Sequence, residues 1–289
     1  MNLYTESTTD DPFPSAPDGG DAPWSVLLST GSDERIFTGL RHGLTRLAAA
    51  HRPMRLFAPP VISEDIVSRA GYTESFPHLL GKVYARSDSA AGRDGRGEEP
   101  TGLTLTPAVC HHVYPLLSGH RIDEPRFFMA EGDCYRHEAT AEPGRLRSFR
   151  MLEVVMVGPP AQCRSWRDAM LGRARDWLTA LGLDHTAEVA NDPFFGRAGI
   201  LLGRAQLEEE LKWELRAEVD RDVRQAVASF NYHKDHFGEA FSLVGPADER
   251  AHSSCAAFGL DRLALALTLR HGTNMDDWPA DVRCLLDPS

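Results

Sequence analysis

The stretch Cys134-Tyr-Arg-His-Glu-Ala-Thr-Ala-Glu-Pro-Gly-Arg-Leu-Arg-Ser-Phe-Arg-Met-Leu-Glu153 decides how this sequence is read. Residues two apart on a strand share a face, so Arg136 and Glu138 are expected side by side. Pro143-Gly144 marks a turn, after which the chain returns through Arg145, Phe149 and Glu153. Two strands joined in this way form a hairpin on which cationic and aromatic side chains converge. Guanidinium forks grip phosphate at two points, and a flat ring can stack on a base. The chemistry suits a nucleoside triphosphate. Ordinary surface ion pairing would explain any one of these charges taken singly, so the weight lies in the joint pattern.

Outward from the hairpin, residues 150–157 are almost wholly apolar and predict a buried strand. Upstream, 127–130 predicts a short strand and 103–114 strand and loop. Between residues 34 and 51, Ile36, Phe37, Leu40, Leu44 and Leu47 fall at helical spacing, with Pro53 just beyond. Residues 56–62 contain Pro59 and Pro60 and read as an edge strand or extended interface segment. Downstream, 161–181 predicts an amphipathic helix with Met170, Leu171, Ala174, Leu178 and Leu181 on one stripe and Arg164, Arg167 and Arg175 on another face. Gly182 is its expected C-cap. Helices are expected at 199–211 and 260–269, and strands at 211–219 and 226–232. The sum is an α+β fold, a largely antiparallel sheet flanked by helices. Residues 1–22 read as a flexible leader to a catalytic domain at 23–289, and the polar stretch 87–102 as an exposed loop.

The 289 residues are 42% hydrophobic and 25% charged, as in an ordinary globular protein. The net charge of −11 comes without any lysine- or arginine-rich run, which weighs against a large nucleic-acid partner. No run of about 18 apolar residues is present to span a membrane, and no secretory signal opens the chain. Five widely spaced cysteines do not suggest a disulfide framework, so a cytoplasmic setting is expected. Each cysteine is by default a small buried apolar residue.

The pattern R-x-E, loop, F-x-x-x-E resembles motif 2 of class II aminoacyl-tRNA synthetases. Ala257-Phe-Gly-Leu-Asp-Arg-Leu-Ala-Leu-Ala266 is similar to motif 3, and Pro59-Pro-Val-Ile62 to motif 1, the dimer segment of that class. Leu211-Lys-Trp-Glu-Leu215 and Ala228-Ser-Phe-Asn-Tyr-His233 resemble strands of seryl-tRNA synthetases. Ser75-Phe-Pro-His-Leu-Leu80, Asp192-Pro-Phe-Phe-Gly196 and Phe230-Asn-Tyr-His-Lys-Asp-His-Phe-Gly238 resemble the amino acid:[carrier protein] ligases, truncated homologues of the methanogen-type, zinc-dependent seryl enzyme. The polar leader is too short for the tRNA-binding domain that seryl enzymes add, so no tRNA partner is expected.

That resemblance implies ATP-dependent formation of an aminoacyl-adenylate from a small amino acid, then transfer to the phosphopantetheine thiol of an acidic carrier protein. It implies catalytic roles for Arg136 and Arg262 on the phosphates, Arg145 on the distal phosphates, Phe149 on adenine and Glu138 on adenine or the amino acid. Leu146, Lys212 and Ser229 would complete the nucleotide contacts, and Glu153, Ser229 and Asn231 would face the amino acid. Zn2+ would be held by Cys110, Glu153 and Cys255, with an open fourth position for the substrate amine. Cys134 is the rival ligand but is expected to pack; Cys163 and Cys284 stay with the default.

One departure concerns Mg2+: Ala226 stands where seryl enzymes place a metal-binding glutamate, leaving Glu142, Glu153 or phosphate oxygens with water. His233 and His236 are the nearest candidates for a general base. The carrier is expected to dock on 185–211, with Arg197 and Arg204 offered to it, and a homodimer is expected through 59–62. The alternatives are aminoacylation of tRNA or another small acceptor, and a non-catalytic synthetase-like regulatory subunit.

Overall fold

The structure is a computed structural model that describes residues 31–86, 97–138 and 142–287. Helix α1 (Gly31–Ala48) turns Ile36, Phe37, Leu40 and Leu44 inward at helical spacing. Strands β1 (Met54–Phe57) and β2 (Val61–Ser63) are separated by Pro59 and Pro60, neither of which can donate to a ladder. Short helices α2 (Glu64–Arg69) and α3 (Tyr72–Ser75) lead to β3 (Lys82–Arg86) and β4 (Glu98–Leu105). Two 3-10 turns, Val109–His112 and Tyr114–Leu117, precede the hairpin of β5 (Arg126–Tyr135) and β6 (Ser148–Gly158). There follow α4 (Pro160–Ala180), β7 (His185–Val189), α5 (Gly196–Glu208), β8 (Lys212–Asp220) and β9 (Val223–Lys234). The chain closes with α6 (His236–Ala240), β10 (His252–Gly259), α7 (Leu260–His271) and α8 (Ala280–Leu286).

Seven strands form one sheet in the order β1-β5-β6-β10-β9-β8-β7. Only β1 runs parallel to its neighbour; the other pairs are antiparallel. A smaller antiparallel sheet, β2-β4-β3, stands apart from it. Alternation along the central strands assigns two jobs to the two faces. Leu152, Val154 and Met156 of β6 and Ala256 and Phe258 of β10 join the main core with α1, α4, α7 and α8. Truncating a fully buried leucine such as Leu152 to alanine costs about 2–5 kcal/mol in such cores. The opposite parity, Glu153 and Val155 of β6 and Cys255 of β10, faces a second cluster under the 3-10 turns and α6.

Several expectations need correction. The proposed loop 87–102 is partly strand: residues 98–102 belong to β4, which is exposed along most of its length and so shows no apolar alternation. Residues 87–96 and the leader at 1–22 lie outside the described residues. The short strand at 127–130 runs on to Tyr135, its polar members Glu131 and Asp133 alternating with buried Gly132 and Cys134. That strand ends one residue before Arg136, so Arg136 and Glu138 leave it, although the Arg136 N–H still donates to the Arg147 carbonyl at 2.8 Å. Arg167 does not lie on an exposed face of α4: it is buried and donates to the Glu210 carbonyl.

Candidate active site

Strand register sets out the floor of the site in two rows. In one, Glu153, Ala257, Ser229 and Glu214 are successive cross-strand partners over β6, β10, β9 and β8. In the next, Val155, Cys255, Asn231 and Lys212 are. Adjacent strands lie about 4.7–4.9 Å apart, so each row presents closely spaced side chains to one face. Ala257, between Glu153 and Ser229, leaves room above itself. The hairpin, α3, α5 and the Val109–His112 turn wall this floor into a cavity of about 600 Å³.

The twelve residues expected to touch nucleotide, amino acid or zinc all line that cavity. On its cationic side are Arg136, Arg145 and Arg262. Arg262 is held by hydrogen bonds to two carbonyls, Nε to Gly144 at 2.8 Å and Nη1 to Ala226 at 2.9 Å, which tie the hairpin loop to β9. Gly144 has φ +75°, and a Cβ there would meet the Arg262 Cγ at 3.3 Å, so both conformation and closeness call for glycine. Burial lowers the Arg262 guanidinium to about 10, and the nearby Arg136 and Arg145 push it the same way. Three like charges gathered at partly buried positions make a site in want of an anion. Arg136 lies over the Phe149 ring at 5.6 Å, and its buried Nε has no hydrogen-bond partner among the described residues. Arg145 is paired with Glu142 at 2.8 Å at the cavity rim. Leu146 and Glu138 complete this end.

At the other end Cys110, Glu153 and Cys255 meet. A hydrogen bond with Cys255, burial and the charge of Glu153 together push the Cys110 thiol well above its ordinary value. Burial raises the Glu153 carboxyl, while hydrogen bonds from both thiols oppose it. Among the described residues no group of three or more His, Cys, Asp or Glu side chains stands in ligating geometry; the trio is joined by hydrogen bonds. The donor set of two sulfurs and a carboxylate is nevertheless of the kind that suits a zinc ion. Cys134 is buried in the same apolar cluster as Cys110 and Cys255 and also lines the cavity. Cys163 is buried in the main core, whereas Cys284 is exposed. Asn231 Nδ2 donates to Cys255 Sγ at 3.4 Å and to Ser229 Oγ at 3.4 Å.

Lys212 sits between the two ends. Its ammonium pairs with Asp192 at 2.6 Å and Glu214 at 3.2 Å. Gln206 of α5 both accepts from the Asp192 N–H at 2.7 Å and donates to its carboxylate at 2.8 Å. This network clamps α5 to the floor strand β8. His233 contacts Cys255 at 3.6 Å and Ser253 at 2.9 Å, and burial holds its imidazole down at about 3. The exposed His236 bonds the Ala70 carbonyl at 2.9 Å.

Four cavity residues had no role in the sequence reading. Tyr72 and His111 lie outside both motifs and carry no spacing signal. Asp192 stood in a quoted segment without a partner, and Glu214 became meaningful only once β8 was placed opposite Ser229.

No protein-family profile matches the chain. Among solved structures, M. kandleri SerRS, crystallised with A. aeolicus tRNASec, superposes with a TM-score of 0.78 at 20% identity, over 91% of this chain and 57% of that one. A cytoplasmic serine–tRNA ligase of Naegleria fowleri, in complex with AMP, follows at 0.69 and 15% identity, over 91% and 54%. The fold is therefore that of a class II seryl-tRNA synthetase core, in an α+β arrangement. In sequence, amino acid–[acyl-carrier-protein] ligase 1 of Bradyrhizobium diazoefficiens is 34% identical over 311 residues, covering 99% of this chain and 95% of that protein. Ligase 2 of the same organism is 38% identical over 244 residues, 79% of this chain and 73% of that protein. The chain belongs to this amino acid–[acyl-carrier-protein] ligase family. The type-2 serine–tRNA ligase of Methanocaldococcus jannaschii is 31% identical over 61% of this chain, which spans 36% of that larger protein.

Proposed function

We propose that this protein is an AMP-forming ligase that activates a small amino acid with ATP and passes it to the phosphopantetheine thiol of a carrier protein. The observation that carries the reading is one cavity with three arginines at one end and a buried Cys–Glu–Cys trio at the other. A triphosphate belongs among the arginines, with Phe149 against adenine. The amino acid lies toward Glu153, Ser229 and Asn231. Its carboxylate oxygen attacks the α-phosphorus, the bond to the β-phosphate oxygen breaks, and pyrophosphate leaves. Arg136 and Arg262 stabilise the charge that develops there, which is positioning and electrostatics rather than covalent catalysis. The arm's thiolate then attacks the adenylate carbonyl, forming the thioester and releasing AMP.

Cys110, Glu153 and Cys255 would hold zinc, and when bound it would recognise the neutral α-amino group of the substrate. Magnesium would rest on phosphate oxygens and water, with Glu214, opposite Ser229, supplying the carboxylate that Ala226 cannot. The carrier docks on 185–211. Helix α5 supports this because Leu202, Ala205 and Gln206 line the cavity while Ile200, Leu201 and Leu207 lie exposed on the same helix as the exposed Arg197 and Arg204. A homodimer forms through β1 and 59–62, where the sheet edge exposes Met54 and Phe57. No helix among the described residues is long and apolar enough to cross a membrane, and the site of action is taken as the cytoplasm. Amino-acid-dependent pyrophosphate–ATP exchange tests the activation step. Exchange should appear with one small amino acid and fall by about a hundredfold in Arg262→Ala, on the order of the 3 kcal/mol that one charge-stabilising group supplies. Exchange with no amino acid, or unchanged in that variant, contradicts the reading.

A further inference from the structure

Between α5 and the Cys–Glu–Cys trio runs a wall of aromatic rings. Phe194 stacks on Phe76 at 5.0 Å between centroids, Phe76 packs on Tyr72 at 4.8 Å, and Tyr72 meets His111 edge-on at 5.7 Å. All four line the cavity. The wall begins in the segment that Gln206 ties to α5 through Asp192. It ends beside Cys110, the neighbour of His111 in sequence. Two polar atoms interrupt this apolar surface. Tyr72 Oη and His111 Nδ1 are buried and have no hydrogen-bond partner among the described residues, and their residues are only 8% and 6% exposed. An unmet buried donor or acceptor costs roughly 1–3 kcal/mol, so two on one wall call for a ligand. Tyr72 and Arg136 line the same cavity.

We propose that Tyr72 and His111 form the holding point of the acceptor arm. The Tyr72 hydroxyl donates to the carbonyl oxygen of the arm's last amide, two carbons from the thiol. His111 Nδ1 receives that amide's N–H. The ring wall guides the arm inward from the docking helix, and the two contacts set the thiol against the adenylate carbonyl. Both are positioning residues, and the inference rests on the carrier reading above.

The test is Tyr72→Phe, which removes one oxygen and keeps the ring contacts. Because that oxygen has no partner among the described residues, Tm should stay level or rise. Exchange with the cognate amino acid should stay within about twofold. Thioester formation is then measured with two carrier-free thiols, N-acetylcysteamine, which carries the amide, and an alkanethiol of the same length, which does not. Wild type should prefer the amide thiol, and Tyr72→Phe should lose about tenfold of that preference, the size of one hydrogen bond. An unchanged preference overturns the inference, as does an altered KM for the amino acid in exchange, which would put Tyr72 on the amino acid. A wild-type enzyme that makes adenylate but no thioester on N-acetylcysteamine or on a holo-carrier overturns the carrier reading itself, and this inference with it.

Discussion

Arg262 shows how one residue serves both the fold and the chemistry. Its guanidinium bridges the carbonyls of Gly144 and Ala226, so the hairpin loop, β9 and the start of α7 are fixed together before any ligand arrives. Mutual repulsion with Arg136 and Arg145 is the cost of that arrangement, and a polyphosphate would relieve it. The Cys–Glu–Cys trio follows the same logic with the opposite sign. A hydrogen bond with Cys255 and burial push the Cys110 thiol up, burial pushes the Glu153 carboxyl up, and a cation entering beside them would oppose that rise. Cys255→Ala should therefore lose metal and exchange activity together, because two remaining ligands rarely hold zinc. Elemental analysis of the purified variant beside its exchange rate checks this. A variant that keeps both, or a wild type active without zinc, would leave these cysteines as core residues.

At the scale of elements, period-2 alternation explains why the sequence was informative about the site. Glu153 and Cys255 sit among apolar neighbours on β6 and β10, and parity alone turns them away from the helices. What could not be read was pairing. Nothing local says that β8 lies beside β9 with Glu214 across from Ser229, or that α3 folds over the cavity. The first part of β4, residues 98–102, was missed for a related reason: exposed along its length, it leaves no apolar period to detect. Helix α5 was legible as a helix, but its unburied row of leucines and isoleucine was not. Leu201→Glu on that row should weaken loading of a holo-carrier by tenfold or more while leaving exchange intact, since Leu201 is 67% exposed and does not line the cavity. Carrier loading against exchange, measured on one preparation, separates the two. An equal loss in both assays would place α5 in catalysis instead of docking.

The whole molecule divides its labour between two faces of a single sheet. One carries a helical core that resists deformation; the other holds a deep cavity lined by charges, thiols and rings. The sheet ends at β1, where Phe57 is 80% exposed, an apolar edge of the kind that self-association covers. Phe57→Glu should turn a dimer into monomer at micromolar concentration, as read by light scattering; a wild type already monomeric there would remove the dimer from the account. The central claim is transfer of an activated amino acid to a carrier arm. Its most direct measurement is the intact mass of a holo-carrier incubated with this protein, ATP and the amino acid that supports exchange, beside a parallel reaction with tRNA. The account predicts a carrier heavier by one amino acid less water, released by hydroxylamine, with uncharged tRNA. Charged tRNA beside an unmodified carrier would contradict it.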